Sequence, residues 1–430
     1  MTKSVAGLLA CALMTCVSLA AQTPAQTPEA SVERIRGSAQ FAAASTFIDS
    51  DYDRFVKELV ALNEIAAPTF KEQARAKVFA DMLRAEGLSD VEIDAEGNAM
   101  GVRRATGASG GPVVAVAAHL DTVFPEGTDV KVKRDGTRLS APGIGDNTRG
   151  AALMLAIIRA LQAGKFQTTN DVLFVGNVGE EGEGDLRGVK YLLRTGKYKG
   201  RIKQFIAIDG GYQGDIPRSG VGSFRYRVTF KGPGGHSYGA FGLVNPAYAM
   251  GSAIAQISRL QVPLQPKTTF SVGVVRGGTS INSIPAEMSM DVDLRSESCA
   301  ELKKVNDAFL EIVRKAVDEE NGTRSTRQGK IEADPKLIGD RPCGETPVTS
   351  TIVQTVTAVV KSFGLTPGYS ISSTDSNVPM NMGIPAVTIG RGGLSGRAHA
   401  PDEWTDVDRR GSVEAVKVAM TIVLAVAGVP

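Results

Sequence analysis

Histidine and cysteine are scarce in this sequence, with three and four residues among 430. Two of the cysteines lie in an apolar N-terminal stretch. The others, Cys299 and Cys343, have no CxxC partner and are either a disulfide pair or two isolated small apolar side chains. A formal net charge of +2 leaves no basic stripe for a phosphate backbone, which argues against nucleic acid as a partner. Beyond the N-terminal stretch, no apolar run is long enough to span a membrane.

The first residues have the pattern of a secretory signal peptide. They carry one lysine, an apolar stretch over about residues 5–19, and the small residues Ser18, Ala20 and Ala21 where cleavage would fall. We therefore expect residues 1–21 to be removed and the mature protein to be exported, to the periplasm or to the medium. Because the apolar stretch is shorter than a bilayer span, no stable membrane association is expected after cleavage; a retained anchor is the alternative. Residues 22–48, rich in Ala, Pro, Thr and Gln, are predicted to be a flexible N-terminus.

The remaining length exceeds one ordinary core, which predicts two domains. Three short apolar runs, 113–118, 171–178 and 386–389, suit parallel strands buried on both faces, and apolar helical patterns lie between them. This order predicts an α/β fold with a mixed, mostly parallel sheet flanked by helices. The two parts of this predicted larger domain are residues 49–218 and 336–430.

The pattern changes between these two parts. Residues 223–231 alternate as SFRYRVTFK, which is typical of a strand in a sheet with one exposed face. A helix, two strands, a long helix and a final strand near 327–333 are predicted to follow. This β-α-β-β-α-β order is that of a ferredoxin-like module. We therefore predict an inserted α+β domain over residues 219–335.

Chemically capable side chains follow the predicted parallel strands where each strand ends. Open α/β sheets bind ligands beyond the carboxyl ends of such strands. His119 and Asp121 follow the first run, and the adjacent acids Glu180 and Glu181 follow the second. Two negative charges where a buried strand leaves the core are costly unless a cation is present, although a solvated acidic loop is the simpler alternative. Further residues of this kind at strand or loop ends are Asp146, Asp209 and His399.

Together these side chains predict a metal site. Zinc takes imidazole and carboxylate ligands, and a two-metal site needs a shared carboxylate, further ligands for each metal, and a base that is not itself bound. The residues that together meet this need are His119, Asp146, Glu180, Glu181, Asp209 and His399. We expect two Zn2+ per subunit, with Co2+ or Mn2+ as substitutes, because magnesium and calcium prefer sites made only of oxygen.

Several short motifs occur in a fixed order between about residues 50 and 425. They are HLDTV, GDN, GEEGEG, DGG, GGHS, GGTSINSIPAE and AHAPDEW. In this order they resemble the co-catalytic zinc exopeptidases and amidohydrolases, a family that includes peptidase T, glutamate carboxypeptidase, succinyl-diaminopimelate desuccinylase and aminoacylase. In combination the motifs are highly specific.

The resemblance implies a role for each candidate. The two zinc ligand sets, which share one aspartate, would be His119 with Asp146 and Asp209, and His399 with Asp146 and Glu181. Asp121 would orient His119 and fix its ring tautomer. Glu180 would take a proton from a water that bridges the two metals and pass it to the leaving nitrogen. The family also has a cis peptide bond after the bridging aspartate.

Other candidates lie on the predicted insert and in a late loop. His236, in GPGGHSYG, resembles the family histidine that reaches a neighbouring subunit's active site and stabilises the oxyanion, which implies a homodimer formed through the inserted domain. Asn282 resembles an asparagine that contacts substrate oxygens. Weaker candidates for binding a substrate carboxylate, since a surface arginine is usually just solvated, are Arg276, Arg391, Gly392 and Gly393.

The resemblance thus implies an exported zinc metallopeptidase that hydrolyses peptide bonds of small peptides. Asp209, where some relatives have Glu, and the DGG motif favour a peptidase T-like aminopeptidase that acts on free-amino peptides. An N-acyl amino acid amidohydrolase or a glutamate carboxypeptidase-like hydrolase is the alternative within the fold. A non-catalytic binding or oligomerisation module would require loss of the base or of several ligands, and none is missing.

Overall fold

The computed structural model describes residues 1–2, 27–106 and 111–430. Apart from its first two residues, the predicted signal peptide lies outside the described residues. Within the described ranges, no helix combines the length and the apolar character that crossing a bilayer requires.

The α-helices of the described residues are α1 (Pro28–Arg36), α2 (Ala39–Asn63), α3 (Gln73–Ala85), α4 (Arg149–Ala163), α5 (Arg187–Arg194), α6 (Pro246–Ile257), α7 (Cys299–Thr323), α8 (Thr351–Ser362), α9 (Asn377–Asn381) and α10 (Arg409–Ala427). The strands are β1 (Ser89–Ile93), β2 (Ala99–Arg103), β3 (Val113–His119), β4 (Lys133–Asp135), β5 (Arg138–Ser140), β6 (Asp171–Asn177), β7 (Ile202–Gly210), β8 (Asp215–Gly220), β9 (Gly222–Lys231), β10 (Gly235–His236), β11 (Thr268–Gly277), β12 (Ser283–Ile284), β13 (Glu287–Ser296), β14 (Glu332–Arg341), β15 (Gly344–Glu345), β16 (Gly368–Ser372), β17 (Ala386–Gly390), β18 (Ser395–Gly396) and β19 (Trp404–Asp406).

A six-stranded sheet in the order β1-β2-β6-β3-β7-β17 forms the centre of the larger domain. Strands β6, β3, β7 and β17 run parallel, and β2 and β1 extend the sheet with antiparallel pairing. Every residue of β3 is buried, because alternate side chains face two cores. Val114 and Val116 pack with α2, α4, α8 and α10, whereas Ala115 and Ala117 pack with α5 and α9. The predicted α/β class with a mixed, mostly parallel sheet is confirmed.

Residues 28–36 and 39–48 are helical, which corrects this part of the flexible segment predicted over 22–48; residues 22–26 lie outside the described residues. Helices α1 and α2 begin after Thr27 and Ser38, whose side chains each accept a hydrogen bond from a backbone N–H of the first turn. Val32 and Ile48 are buried in the core that also contains α8 and α10. The alanine-rich composition that suggested disorder instead favours helix once this apolar face has a partner.

The inserted segment forms a separate antiparallel sheet in the order β11-β13-β9-β14, covered on one face by α6 and α7. If the four strands of this sheet are numbered by their order in the chain, they lie side by side in the order 2-3-1-4. This is the arrangement of a ferredoxin-like module. The alternation read from the sequence puts Tyr226, Val228 and Phe230 of β9 into this core.

The last strand of the insert extends further than expected. A strand was predicted near 327–333 and a domain boundary at 335, but β14 runs Glu332–Arg341. Pro335 lies inside β14, which is compatible with the position of β14 at the edge of the sheet, where a missing N–H breaks no ladder of hydrogen bonds. The sheet of the insert therefore ends at Arg341.

Cys299 and Cys343 form a disulfide, which resolves the two alternatives left open by the sequence. Cys299 is the first residue of α7, and Cys343 lies two residues beyond β14, where the chain returns to the larger domain. The bond therefore ties the long helix of the insert to the returning chain.

Candidate metal centre

Three neighbouring parallel strands end at one edge of the central sheet, and each brings a candidate residue there. His119 is the last residue of β3, Asp209 lies near the end of β7, and Glu180 and Glu181 follow β6. Since β3 pairs with both β6 and β7, strand pairing alone brings these residues together. His119, Glu180 and Glu181 are buried, and each has one potential ligand atom within 4.8 Å of the others.

Asp146 reaches the same edge from the loop that precedes α4. The buried carboxylate of Glu403 holds this loop, because it accepts hydrogen bonds from the backbone N–H groups of Gly143, Gly145 and Asp146. The Asp146–Asn147 peptide bond is cis, as the family resemblance implied. Three hydrogen bonds to one carboxylate fix the backbone from which the Asp146 side chain projects.

The two carboxylate oxygens of Asp146 face two different imidazoles. Oδ1 lies 3.3 Å from Nε2 of His119, and Oδ2 lies 3.5 Å from Nε2 of His399. Asp209 Oδ1 lies 3.6 Å from Nε2 of His119, and Glu181 Oε1 lies 2.9 Å from Nε2 of His399. The side chains thus form two triads, each with its ligand atoms within 4.8 Å of one another. A carboxylate shared by two ligand sets is what a two-metal site requires.

The charges around the two imidazoles favour a cation. Burial lowers the pKa of His119, but hydrogen bonds to three surrounding carboxylates hold this pKa well above its usual value. Asp146 and Glu181 raise the pKa of His399 to about 10. Carboxylates at these distances are stabilised by a positive charge between them, which a proton or a metal cation can supply. Because His, Asp and Glu are the donors that zinc accepts, the residues fit the metal pair expected from the sequence.

Asp121 supports both His119 and the turn of the two glutamates. His119 Nδ1 lies 3.1 Å from the backbone carbonyl oxygen of Asp121 and 3.6 Å from its carboxylate, which leaves Nε2 for the triad. The carboxylate of Asp121 accepts hydrogen bonds from the N–H groups of Glu180 at 3.0 Å and Glu181 at 2.9 Å. Asp121 therefore positions groups on both strands that deliver candidate ligands.

Glu180 lies beside the triads and is 4% exposed. Its Oε1 accepts a hydrogen bond from Nη1 of Arg341 at 2.9 Å. Burial raises the pKa of Glu180 well above its usual value, while Arg341 and His119 act in the opposite direction. A carboxyl group with a raised pKa holds a proton more readily, which suits a side chain that must take up and release one.

Arg391 is a buried cation next to the His119 triad. Its Nη1 donates to Oδ1 of Asp209 at 2.9 Å and to Oδ1 of Asp146 at 3.2 Å. Burial raises the pKa of Asp146, but Arg391 and the two imidazoles outweigh this effect and hold the pKa well below its usual value. These charges favour the ionised form of the shared carboxylate, which is the form that would bind a metal.

His236 and Asn282 lie together on the insert, and neither belongs to a ligand group found among the described residues. They are adjacent because β10 pairs with β12. Both are exposed, and Nδ1 of His236 accepts the backbone N–H groups of Tyr238 and Gly239, each at 3.2 Å. The ring proton therefore lies on Nε2, which can donate a hydrogen bond.

Arg276 lies on β11, at the edge of the insert's sheet, and its side chain is 54% exposed. It donates to Oδ2 of Asp291 at 2.9 Å, and Asp291 also pairs with Arg227. These arginines lower the pKa of Asp291 to about 2. The structure therefore gives Arg276 an ion-pair partner within its own sheet.

The two loop glycines, Gly392 and Gly393, both adopt a φ of 70°. A Cβ on Gly392 would lie 2.2 Å from the side chain of Ala415, and a Cβ on Gly393 would lie 2.4 Å from that of Arg149. Close packing thus explains both glycines. A cavity of about 330 Å³ opens beside this loop, and its lining includes Tyr212, Arg391, Gly393, Leu394, Arg397 and Glu403.

Three buried residues of the centre were missed by sequence reasoning. Glu403 belongs to the AHAPDEW motif, which marks it as a candidate residue but does not reveal its contact with the loop of Asp146. Asp375 accepts a hydrogen bond from Asn177 at 2.8 Å, and burial raises the pKa of Asp375 to about 7. Arg341, the partner of Glu180, gives no signal in the sequence, because an arginine at a strand end is usually solvated.

The site consists of two ligand triads that share a carboxylate at the end of a parallel sheet, and a buried carboxylic acid lies next to them. This arrangement is typical of metal-dependent hydrolases. Residues 115–426 match the Peptidase family M20/M25/M40, and the chain belongs to this family. The resemblance carried by the motifs is thereby confirmed, and the protein is a hydrolase of peptide or amide bonds.

Individual relatives agree with this assignment. A stretch of 131 residues is 34% identical to a protein of Pyrococcus abyssi described as a LysW-lysine/LysW-ornithine hydrolase, and it spans 30% of this chain and 33% of that protein. Aminopeptidase PepT of Bacillus cereus has a TM-score of 0.70 at 21% identity, over 88% of this chain and 99% of PepT. The YxeP protein of Bacillus subtilis, described as a dinuclear metal binding peptidase, has a TM-score of 0.64 at 17% identity, over 87% of this chain and 97% of YxeP. At these identities the two structures establish the fold.

Proposed function

We propose that this protein is a di-zinc aminopeptidase that releases N-terminal residues from small peptides. The observation that carries the proposal is the position of Asp146 between the imidazoles of His119 and His399, with the buried carboxyl group of Glu180 beside them. The similarity to YxeP, which is described as a dinuclear metal binding peptidase, supports the pair of metals.

The two triads would each hold one zinc ion, with Asp146 common to both. When bound, such a pair activates water and polarises the carbonyl group of the scissile bond. The side chains of this protein keep the two ligand sets in place. Asp121 aims Nε2 of His119 into the centre, and Glu403 fixes the loop that carries Asp146.

Glu180 would perform the proton transfer. Among the described residues, its Oε2 has no hydrogen-bond partner, whereas Oε1 is held by Arg341. Oε2 is therefore free to accept a proton from the attacking water and to give it to the leaving nitrogen. Because Glu180 is buried, bulk water does not compete for this proton.

The proposed substrate is a short peptide with a free amino terminus. The similarity to PepT supports this class, as does the presence of Asp209 in the motif DGG. The cavity next to Arg391 measures about 330 Å³, a volume that suits a few residues of an extended peptide rather than a folded protein. The exposed side chains of Tyr212 and Leu394 give this cavity an apolar rim.

The same cavity favours a second candidate, an N-acyl amino acid amidohydrolase or carboxypeptidase-like hydrolase. Arg391 and Arg397 both line it, and guanidinium groups are well suited to bind a substrate carboxylate. In that case the recognised end of the substrate would be its carboxylate rather than its amine.

Product analysis by mass spectrometry separates the two candidates. We expect the zinc-loaded protein to cleave free di- and tripeptides with a kcat/KM at least about 10²-fold above that for their N-acetylated forms and for N-acyl amino acids. A substrate with a blocked amine would leave unpaired the polar groups of a site that binds a charged amine, and this lowers its kcat/KM. The Glu180→Gln variant serves as the blank. Cleavage confined to the blocked substrates would support the amidohydrolase instead.

We also propose a homodimer in which His236 of one subunit acts at the active site of the other. The exposed apolar side chains of Tyr238, Phe241 and Ile281 lie close to His236 or Asn282 in the sequence, which supports an interface there. Light scattering of the purified protein tests for the dimer. Nε2 of His236 would then stabilise the negative charge on the substrate oxygen during attack.

Export is the third part of the proposal. The disulfide between Cys299 and Cys343 supports it, because disulfides persist in oxidising compartments such as the periplasm. N-terminal sequencing of the protein expressed as the full chain in a bacterial host should give a sequence that starts near Gln22. An intact Met1 in the cytoplasmic fraction would argue against export.

A further inference from the structure

A buried arginine of the insert contacts Glu180. Arg341 is the last residue of β14 and is 6% exposed. Its Nη1 donates to Oε1 of Glu180 at 2.9 Å and to Oγ of Ser373 at 3.2 Å, and its Nη2 donates to the backbone carbonyl oxygen of Glu180. One guanidinium group therefore holds both the side chain and the main chain of Glu180. The planar fork of arginine can make two such contacts at once, which a lysine ammonium group cannot reproduce.

The main chain that carries Arg341 is itself fixed. The N–H group of Asp340 donates to both carboxylate oxygens of Asp185, at 3.0 and 2.9 Å, and Lys190 donates to the carbonyl oxygen of Asp340 at 2.7 Å. Two residues beyond Arg341, Cys343 is bonded to Cys299. Because Arg341 is anchored on both sides, it determines where Glu180 lies and does not follow its movements.

The side chain of Glu180 has little other support. Among the described residues, Arg341 is the only hydrogen-bond donor to its carboxylate. The N–H group of Glu180 is held by Asp121, but this contact leaves the side-chain torsions free. A displacement of a reacting group by about 1 Å can lower a rate by roughly 10²-fold. The orientation of Glu180 therefore depends on Arg341.

We propose that Arg341 is a positioning residue, which binds Oε1 of Glu180 and leaves Oε2 free to accept the proton. The inserted domain thereby contributes to the active site of its own chain, in addition to any contribution to a partner's. The inference rests on the proposed function, because it requires Glu180 to be the base.

The variants Arg341→Met and Arg341→Lys test this role in the zinc-loaded full chain. With the methionine variant, kcat for a tripeptide should fall at least about tenfold, because Glu180 is no longer held, while KM stays within about twofold and the zinc content is unchanged. The lysine variant keeps the charge but only one contact, so its kcat should lie between those of the wild type and the methionine variant. Arg218→Met is the matched control, because Arg218 lies in the same region of the fold and pairs with Glu345, outside the metal centre.

A double variant separates positioning from a general structural effect. If Arg341 acts only through Glu180, adding Arg341→Met to Glu180→Gln should lower the residual kcat no further. If the two substitutions lower kcat independently, so that their effects multiply in the double variant, the inference is overturned. It is also overturned if a folded Arg341→Met protein changes only in KM or retains the wild-type kcat. If Arg341→Met does not fold, the lysine variant decides, and wild-type kcat in that variant also overturns the inference. Full turnover by Glu180→Gln alone would instead refute the proposed base itself, which distinguishes the two failures.

Discussion

Replacement of Glu180 by Gln should lower kcat by at least about 10²-fold and leave two zinc ions bound per subunit. Glutamine has nearly the same shape and still offers an oxygen to Arg341, but its amide does not accept a proton at neutral pH. The ligand triads around Asp146 do not need Glu180, so metal binding should persist. Steady-state kinetics on a tripeptide and elemental analysis after dialysis measure the two quantities.

Glu183→Gln is the matched control, because Glu183 is an exposed acid in the same loop and should be dispensable. Treatment with a chelator should inactivate both wild type and control, and added zinc should restore them but not Glu180→Gln. If Glu180→Gln turns over substrate within a few-fold of the wild-type rate, Glu180 is excluded as the base. Loss of zinc from this variant would show that Glu180 is a ligand, a role that its grouping with His119 and Glu181 allows.

The position of the candidate metal centre could be predicted because it follows from strand pairing. A fully apolar run ending at His119 implied a central parallel strand, and the carboxyl ends of its neighbours had to lie beside it. Glu181 and Asp209 therefore came to the same edge without any knowledge of side-chain contacts. The sharing of Asp146 between two ligand sets rested on the family resemblance, because its loop belongs to no sheet strand.

The contacts that hold these residues could not be predicted from the sequence. Arg341 reaches Glu180 across 161 positions, from a strand whose end was placed too early. Glu403 holds the Asp146 loop across 257 positions. Such contacts depend on how the insert and the late loops pack on the central sheet, and a single polar residue carries no periodic pattern that would reveal them.

The N-terminal helices were missed for a different reason. Residues such as Val32 and Ile35 are sparse in a polar, alanine-rich segment, so the segment lacks a core of its own. They become buried only because α8 and α10, from the far end of the chain, provide the complementary surface. Composition predicts disorder when such a partner is not evident from the sequence.

Mixing two inactive variants should restore activity if His236 acts across a dimer. His236→Ala removes a donor to the substrate oxygen and should lower kcat by about 10² to 10³-fold. Glu180→Gln retains His236 but lacks the base. After subunit exchange, half of the dimers contain one His236→Ala subunit and one Glu180→Gln subunit. In these mixed dimers the His236→Ala subunit has an intact Glu180, and its site receives His236 from the Glu180→Gln partner. The mixture should therefore recover about a quarter of wild-type activity per subunit.

Differently tagged variants make this mixing experiment decisive, because isolation through both tags shows that mixed dimers have formed. Mixed dimers as inactive as either parent would mean that His236 acts in its own subunit or not at all. A wild-type protein that light scattering finds to be a fully active monomer would lead to the same conclusion. Recovery in the mixed dimers would require His236 of one subunit to reach the partner's centre, because the only intact Glu180 in a mixed dimer belongs to the subunit that lacks His236.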